Sequence, residues 1–439
     1  MRIEGATVLV AGMAKSGLAA ARLLSKKGAR VIATDTKPIE AMPDVAKQLS
    51  AINAEFRLQS ADAFHGVDLI VLSPGVPPST VPAGTIAPVI GELELAAHYL
   101  KGRTIGITGS NGKTTTTSMV GHILSESGIA CQVGGNIGLP PTAMVDLSYD
   151  GQWNVLELSS FQLETVNDFR AEIGVCLNIT PDHLDRHGSL EAYAAAKRRL
   201  FETQTKTDYA VLNGDDAICS SFASRANGKI VWFSLDHRVA LPGFWLEGKT
   251  LRNEDEVLME AAEMPVRGRH NIENTLAAAT AAHLAGASHE QIRQAVMSFR
   301  AVEHRLEFVR NRDGVDYYND SKATNVDATL KAIEAFEGGL WIILGGKDKD
   351  SDYTVLREPL RRKARAALLI GSAAHKISSQ LNDALKLIHA GDLKSAIENA
   401  AGKAKAGDTV LLAPACASFD QFDNYEHRGR VFKTIVNSL

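Results

Sequence analysis

Cysteine is scarce. The 439 residues hold four, Cys131, Cys176, Cys219 and Cys416, far apart and with no CxxC pair. Such spacing speaks against a thiolate metal site and a disulfide framework, and it fits a chain that folds in a reducing cytoplasm. Long apolar runs are missing too: none approaches the ~18 residues that suggest a membrane span. There is no excess of positive charge, the formal net charge being -4, which argues against a broad nucleic-acid surface. Repeats and low-complexity tracts are absent. The N-terminus places Glu4 ahead of a short apolar stretch and then a Gly-rich turn, so it reads as a first strand rather than a signal peptide. What is present is a globular composition, 45% hydrophobic and 22% charged, in a chain long enough for two or three domains. The expectation is a cytoplasmic monomer whose partners are small molecules held by local charge, with neither nucleic acid nor membrane among them.

Strand-like and helix-like runs alternate throughout, the signature of α/β domains with largely parallel sheets. The opening Thr7 to Gly12 predicts a strand, Leu18 to Lys27 a helix ended by Gly28, and Val31 to Asp35 the next strand, a βαβ start. Val67 to Leu72 is a later strand that ends in Ser73-Pro74-Gly75. A second unit opens near Glu92, with strands at 104–108, 154–158, 173–178 and 209–213 and an Ala-rich helix over 271–285. A third opens near Arg300, where 340–344, 366–370 and 409–413 are continuous apolar runs, as strands buried on both faces require. The expected domains are 1–92, 93–300 and 301–439.

The segment Gly109-Ser110-Asn111-Gly112-Lys113-Thr114-Thr115 follows a strand and opens a helix, which is the context of a phosphate-binding loop. Glycines let backbone approach phosphate oxygens, and the helix start aims N–H groups at the anion. Lys113 can reach the β- and γ-phosphates, and the Thr114 hydroxyl can bind Mg2+. Ile107 stands where the strict GxxxxGKT spacing has its first glycine, so this is the shorter GxxGKT form.

That loop resembles the ATP loop of the Mur ligases and the related folylpolyglutamate synthases. The resemblance runs on, in order, through Gly134-Gly-Asn136-Ile-Gly138, Glu157-Leu-Ser-Ser-Phe-Gln-Leu-Glu164, Asn178-Ile-Thr-Pro-Asp-His183, Tyr193-Ala-Ala-Ala-Lys197 and Gly268-Arg-His-Asn271-Ile-Glu-Asn274. Glu303-His-Arg305, Asn319-Asp320-Ser-Lys322-Ala-Thr324-Asn325 and Pro414-Ala-Cys-Ala-Ser418-Phe-Asp-Gln-Phe422 complete it. As a set these resemble the branch of the Mur family that adds D-glutamate to UDP-N-acetylmuramoyl-L-alanine. The resemblance implies a three-domain α/β fold: a Rossmann-like domain for the UDP-sugar, a central P-loop ATPase-type parallel sheet, and a Rossmann-like C-terminal domain that closes over the site. It implies a reaction in which ATP makes an acyl phosphate and the amine of D-glutamate displaces phosphate, with two Mg2+ ions.

Two anions, a carboxylate and the γ-phosphate, must then meet, so positioning and concentrated positive charge are the protein's task. Glu157 ends an apolar strand, where the residues alone leave a metal ligand and an ordinary strand-end glutamate equally open; the resemblance implies a Mg2+ ligand. By resemblance His183 binds a second Mg2+, and Lys197 is carbamylated and becomes an anion beside the metal. Asn271 and Asn274 are three apart and share a helix face, where capping explains one of them; the resemblance places them near adenine. Arg305, Asp320 and Lys322 resemble residues that reach the ATP ribose and phosphates. Thr324, Lys349, Ser418, Phe419 and Tyr425 match positions for D-glutamate, with Lys347 a competitor to Lys349. Ser16, Asp35, Thr36, Ser73 and Gly75 match those that hold uracil and diphosphate, and Asn136 matches a substrate contact from the central domain.

Other readings stay open. One is another Mur-type or folylpolyglutamate-type ligase, although Asn111 and the 414–422 segment favour the D-glutamate branch and no DNPR motif is present. Another is an oxidoreductase built on the first βαβ unit; Ala14 stands where GxGxxG needs its second glycine, which crowds a pyrophosphate. A non-catalytic nucleotide-binding regulator is the third, opposed by the intact Gly-Lys-Thr loop.

Overall fold

The computed structural model describes residues 3–266, 268–300 and 303–439. The chain folds into two compact units, Met1–Glu263 with Glu273–Met297, and Met264–Ile272 with Ser298–Leu439. The first unit holds two parallel sheets and a small antiparallel one. Its first sheet comprises β1 (Thr7–Ala11), β2 (Arg30–Asp35), β3 (Glu55–Leu58), β4 (Leu69–Leu72) and β5 (Val89–Gly91), in the order β3-β2-β1-β4-β5. Apolar residues run without a break along β1 and β4 because both faces are covered. Val8, Val10, Ala33 and Val71 pack with Ala20 and Leu24 of the helix Lys15–Lys26 on one side. Leu9, Ile32 and Ile70 pack with Phe64 on the other.

The second sheet comprises β6 (Arg103–Thr108), β7 (Cys131–Gly135), β8 (Trp153–Glu157), β9 (Ile173–Cys176), β10 (Tyr209–Asn213) and β11 (Lys229–Phe233), in the order β11-β10-β9-β6-β8-β7. Every pairing in these two sheets is parallel. The strand order reverses at β1 in the first and at β6 in the second. Crevices at the carboxyl ends of strands beside such reversals are where open α/β sheets take ligands. The turns 12–14 and 109–112 start at those two ends. The small antiparallel sheet, β12 (Trp245–Glu247), β13 (Thr250–Arg252) and β14 (Val257–Glu260), had no counterpart in the sequence reading.

The second unit is built on one sheet: β15 (Glu307–Arg312), β16 (Val315–Asn319), β17 (Leu340–Gly345), β18 (Ala364–Ile370), β19 (Lys386–Gly391) and β20 (Thr409–Leu412), in the order β15-β16-β20-β17-β18-β19. Only β15 runs antiparallel to its neighbour. The apolar runs of β17 and β20 are buried along their whole length. Mixed α/β architecture is thus as the sequence led one to expect. Among the described residues no helix is long and apolar enough to cross a membrane.

Candidate active site

The loop after β6 is shaped by glycine and fastened by asparagine. Gly112 has φ +84°, and a Cβ there would lie 2.2 Å from Asn274 Oδ1. Only glycine combines that left-handed backbone with so close an approach. The helix Lys113–Glu126 starts directly after it. The Asn111 N–H donates to Asn178 Oδ1 (2.8 Å), and Asn178 Nδ2 donates back to the Asn111 carbonyl (3.2 Å). The Ser110 N–H donates to the Asn178 carbonyl (2.8 Å), and the Ser110 hydroxyl donates to the Thr180 carbonyl (2.9 Å), 3.1 Å from the Tyr193 hydroxyl. The loop is therefore held in shape by the segment that follows β9.

Two amines converge on this loop. Lys113 Nζ donates to the carbonyls of Gly109 (2.7 Å) and Ser110 (2.8 Å). Lys197, on the helix Leu190–Arg198, donates to the same Gly109 carbonyl (2.8 Å). Lys197 is buried and lies 4.6 Å from the Tyr193 ring centroid. Burial, and after it the charge of Lys113, hold its amine well below the usual lysine range.

Glu157 ends β8 in a buried position. Its Oε1 accepts from Asn136 Nδ2 (2.8 Å). Its Oε2 and the Thr114 hydroxyl are buried without a hydrogen-bond partner among the described residues. A buried oxygen left unsatisfied costs about 1–3 kcal/mol, so both have reason to take a ligand. Oxygen donors suit Mg2+, and these residues fit it. His183 has a left-handed φ of +52°, and its Nε2 lies 3.7 Å from Asp182 Oδ2. The His183 ring packs edge-on against Phe161, with centroids 4.8 Å apart. Thr115 is buried in the first turn of its helix.

The capping expectation for Asn271 or Asn274 needs correction. Their helix starts at Arg269, so both lie inside it. Both are buried, and Asn274 Oδ1 accepts from the Thr116 hydroxyl at 3.4 Å.

The first turn is organised differently. Asp35, at the end of β2, accepts the Met13 N–H at Oδ2 (2.7 Å) and the Lys37 N–H at Oδ1 (3.0 Å). The Thr36 hydroxyl lies 3.4 Å from the same Oδ1. Ser73, buried at the end of β4, donates to the Gly12 carbonyl (2.7 Å). Ser16 is half-buried in the first turn of its helix, and Gly75 is exposed. Lys15 Nζ donates to the Gly138 carbonyl, two residues beyond Asn136.

In the second unit, Asp320 follows β16 and is buried; its Oδ1 accepts the Leu306 N–H at 3.3 Å. Burial pushes its pKa up to about 7, against the pull of Arg305. Lys322 Nζ sits 3.9 Å above the Tyr425 ring centroid. The Thr324 N–H donates to the Lys322 carbonyl (2.7 Å). Ser418 is buried, whereas Lys347, Lys349 and Phe419 are exposed. Sequence reasoning gave no role to Asn178, Thr180, Tyr193 or Arg428. The first three stand in segments quoted for the resemblance, and that was the only signal; Arg428 lies beyond them.

A lysine-bearing glycine turn between a reversal strand and a helix, beside a buried carboxylate with a free oxygen, defines a P-loop-type protein that handles nucleoside triphosphates. Family models agree over three stretches: the Mur ligase MurD-like N-terminal domain over residues 6–87, the Mur ligase middle domain over 107–282, and the Mur ligase glutamate ligase domain over 304–416. A UDP-N-acetylmuramoylalanine–D-glutamate ligase of Solibacter usitatus is 59% identical, over 100% of this chain and 99% of the relative. A protein of the same name from Acidobacterium capsulatum is 54% identical, over 99% and 97%. Two solved structures share the fold. The MurF ligase of Thermotoga maritima in complex with ADP has a TM-score of 0.64 at 17% identity, covering 93% of this chain and 95% of that one. A pseudomurein peptide ligase type C of Methanothermus fervidus has 0.62 at 20%, covering 99% and 100%. The chain belongs to the Mur ligase family, and its relatives over the full length are the D-glutamate ligases.

Proposed function

We propose that the protein joins D-glutamate to UDP-N-acetylmuramoyl-L-alanine at the expense of ATP, giving ADP and phosphate, in the making of peptidoglycan precursors. One observation carries the chemistry: two amines meet on the Gly109 carbonyl beside the unsatisfied oxygens of Thr114 and Glu157. The choice of amino acid and acceptor rests on the names of the full-length relatives.

The substrate carboxylate attacks the γ-phosphorus, an O–P bond forms, and ADP leaves. The amine of D-glutamate then adds to the acyl carbon, phosphate departs, and the nitrogen gives up a proton. Lys113 draws charge from the γ-phosphate as the carboxylate approaches, and the N–H groups opening the helix Lys113–Glu126 hold the phosphates. Thr114 and Glu157 would hold Mg2+, which would neutralise part of the charge on the phosphate oxygens as the substrate anion approaches. Asn136 fixes the rotamer of Glu157.

A second ion is assigned to His183 and to Lys197 as a carbamate. The buried Lys197 amine suits this, because burial and the charge of Lys113 disfavour its protonated form; the free amine adds to carbon dioxide and releases a proton. Asn271 and Asn274 take adenine, and Arg305, Asp320 and Lys322 take ribose and phosphates. Ser16, Asp35, Thr36, Ser73 and Gly75 take the UDP group. Thr324, Lys349, Ser418, Phe419 and Tyr425 take D-glutamate. Residues 1–92, 93–300 and 301–439 are the three domains among which these ligands are divided, in a cytoplasmic monomer.

Phosphate release should need UDP-N-acetylmuramoyl-L-alanine and D-glutamate together, with L-glutamate inactive, and hydroxylamine should trap the acyl phosphate as a hydroxamate. Release with neither substrate, or none with both, rejects the reading.

A further inference from the structure

Arg428, in the helix Tyr425–Ser438, has no solvent exposure and is among the largest fully buried side chains. Among the described residues all its hydrogen-bond partners are neutral. Nε donates to the Ser321 hydroxyl (2.9 Å), Nη2 to the Ser321 carbonyl (2.8 Å), and Nη1 and Nη2 each to the Cys416 carbonyl (3.2 Å). Among the described residues no carboxylate oxygen lies within 4.0 Å of it. Asp420, the carboxylate whose field reaches it, accepts the Ser372 N–H at 2.9 Å instead. Burial lowers the Arg428 pKa only to about 10, so the group is charged at neutral pH.

A buried cation with no counter-ion is expensive. Stitching carbonyls together would need only a neutral donor such as glutamine. The location suggests what the charge is for. Ser321 leads into Lys322 and Thr324, and Cys416 stands two residues before Ser418. The Tyr425 carbonyl accepts the Ser321 hydroxyl (2.9 Å). A Cβ on Gly346, in the turn that runs to Lys349, would lie 3.2 Å from Arg428 Nη1. Four segments assigned above to D-glutamate therefore meet at one guanidinium that, among the described residues, has no carboxylate bonded to it.

We infer that Arg428 is a positioning residue for the acceptor amino acid: it fixes segments 321–324 and 416–418, and its unpaired charge supplies the positive potential that the two carboxylates of D-glutamate meet. This rests on the ligase reading. The test is steady-state kinetics of full-length Arg428→Gln, which keeps a donor without charge, and Arg428→Lys, which keeps charge with fewer donors. Arg428→Gln should raise KM for D-glutamate at least ~10-fold while KM for ATP and the UDP-substrate stays within ~2-fold. Arg428→Lys keeps the charge but loses the planar fork, so it should raise KM for D-glutamate less than Arg428→Gln does, and by no more than ~10-fold. A glutamine variant with an unchanged KM for D-glutamate, or one impaired equally for all substrates, overturns the inference. If the glutamine variant does not fold, the lysine variant decides alone, and a KM for D-glutamate raised more than ~10-fold refutes it. A parent enzyme that ignores D-glutamate would instead reject the ligase reading.

Discussion

The two glycine turns of the first unit share a plan and differ in charge. Each follows the strand where a parallel sheet reverses, and each opens a helix whose first residue is lysine, Lys15 or Lys113. In the first turn a protein carboxylate, Asp35, already holds the Met13 N–H. In the second, the turn amides of Ser110 and Asn111 go to the carbonyl and side-chain oxygens of Asn178, both neutral, while two amines gather on Gly109. Strand, turn and helix thus do not select the ligand. The groups brought up around the turn do, Asp35 from the neighbouring strand in one and Lys113 and Lys197 from helices in the other: an acid suits hydroxyl or imide donors, as ribose and uracil offer, whereas amines suit a triphosphate.

Removing the amine of the second turn should have the largest effect. Lys113→Ala should reduce turnover by at least ~1,000-fold, as loss of a preorganised charge does, yet leave UDP-substrate affinity within ~2-fold by calorimetry. Loss of both affinities would break the division between the turns. A smaller and symmetrical effect is expected from Gly112→Ala and Gly17→Ala. A Cβ would stand 2.2 Å from Asn274 Oδ1 in one and 1.8 Å from the Gly12 carbonyl oxygen in the other. Each should cost about 1–3 kcal/mol in urea unfolding. Gly112→Ala should raise KM for ATP alone, and Gly17→Ala that for the UDP-substrate alone. If both constants move together in either variant, the turns are not independent.

The least effect on turnover is expected at Glu92, which holds the segment following the Asn136 loop. Its Oε1 accepts the Thr142 N–H (2.7 Å) and the Thr142 hydroxyl (2.5 Å), and burial pushes its pKa from 4.5 to about 7. The folded chain therefore keeps a proton that the unfolded chain releases. Stability is full below pH 4.5, declines as pH rises to about 7, and is then lower by up to about 3 kcal/mol. Glu92→Gln abolishes that decline, so its stability relative to the parent should grow between pH 5 and pH 8. Denaturant titrations with the same offset at both values would mean that Glu92 is buried as an anion.

Much of this was legible in the chain. Uninterrupted apolar runs mark β17, β18 and β20 because parallel strands are covered on both faces, and the loop at 109–115 stands out through glycines, lysine and threonine between a strand and a helix, the context of a phosphate-binding loop. What stayed hidden depends on partners distant in sequence. Asn178 shapes a loop 67 residues away. Arg428 bonds to Ser321, 107 residues away, and in its own helix, among Glu426, His427 and Arg430, it looks like one more surface charge. The strands 245–247, 250–252 and 257–260 are three or four residues long, too short for alternation to register.

Gly12, Asp35 and Ser73 leave the first sheet from one edge, and Gly109, Glu157 and Asn178 leave the second sheet likewise, because all the strands of each run the same way. The opposite edges, with the connections 27–29, 127–130 and 149–152, carry none of the groups assigned to chemistry. Descendants of this chain can lengthen, recolour or decorate those connections generation after generation, and a laboratory can hang a dye or an affinity handle there, while the reaction goes on undisturbed at the far rim.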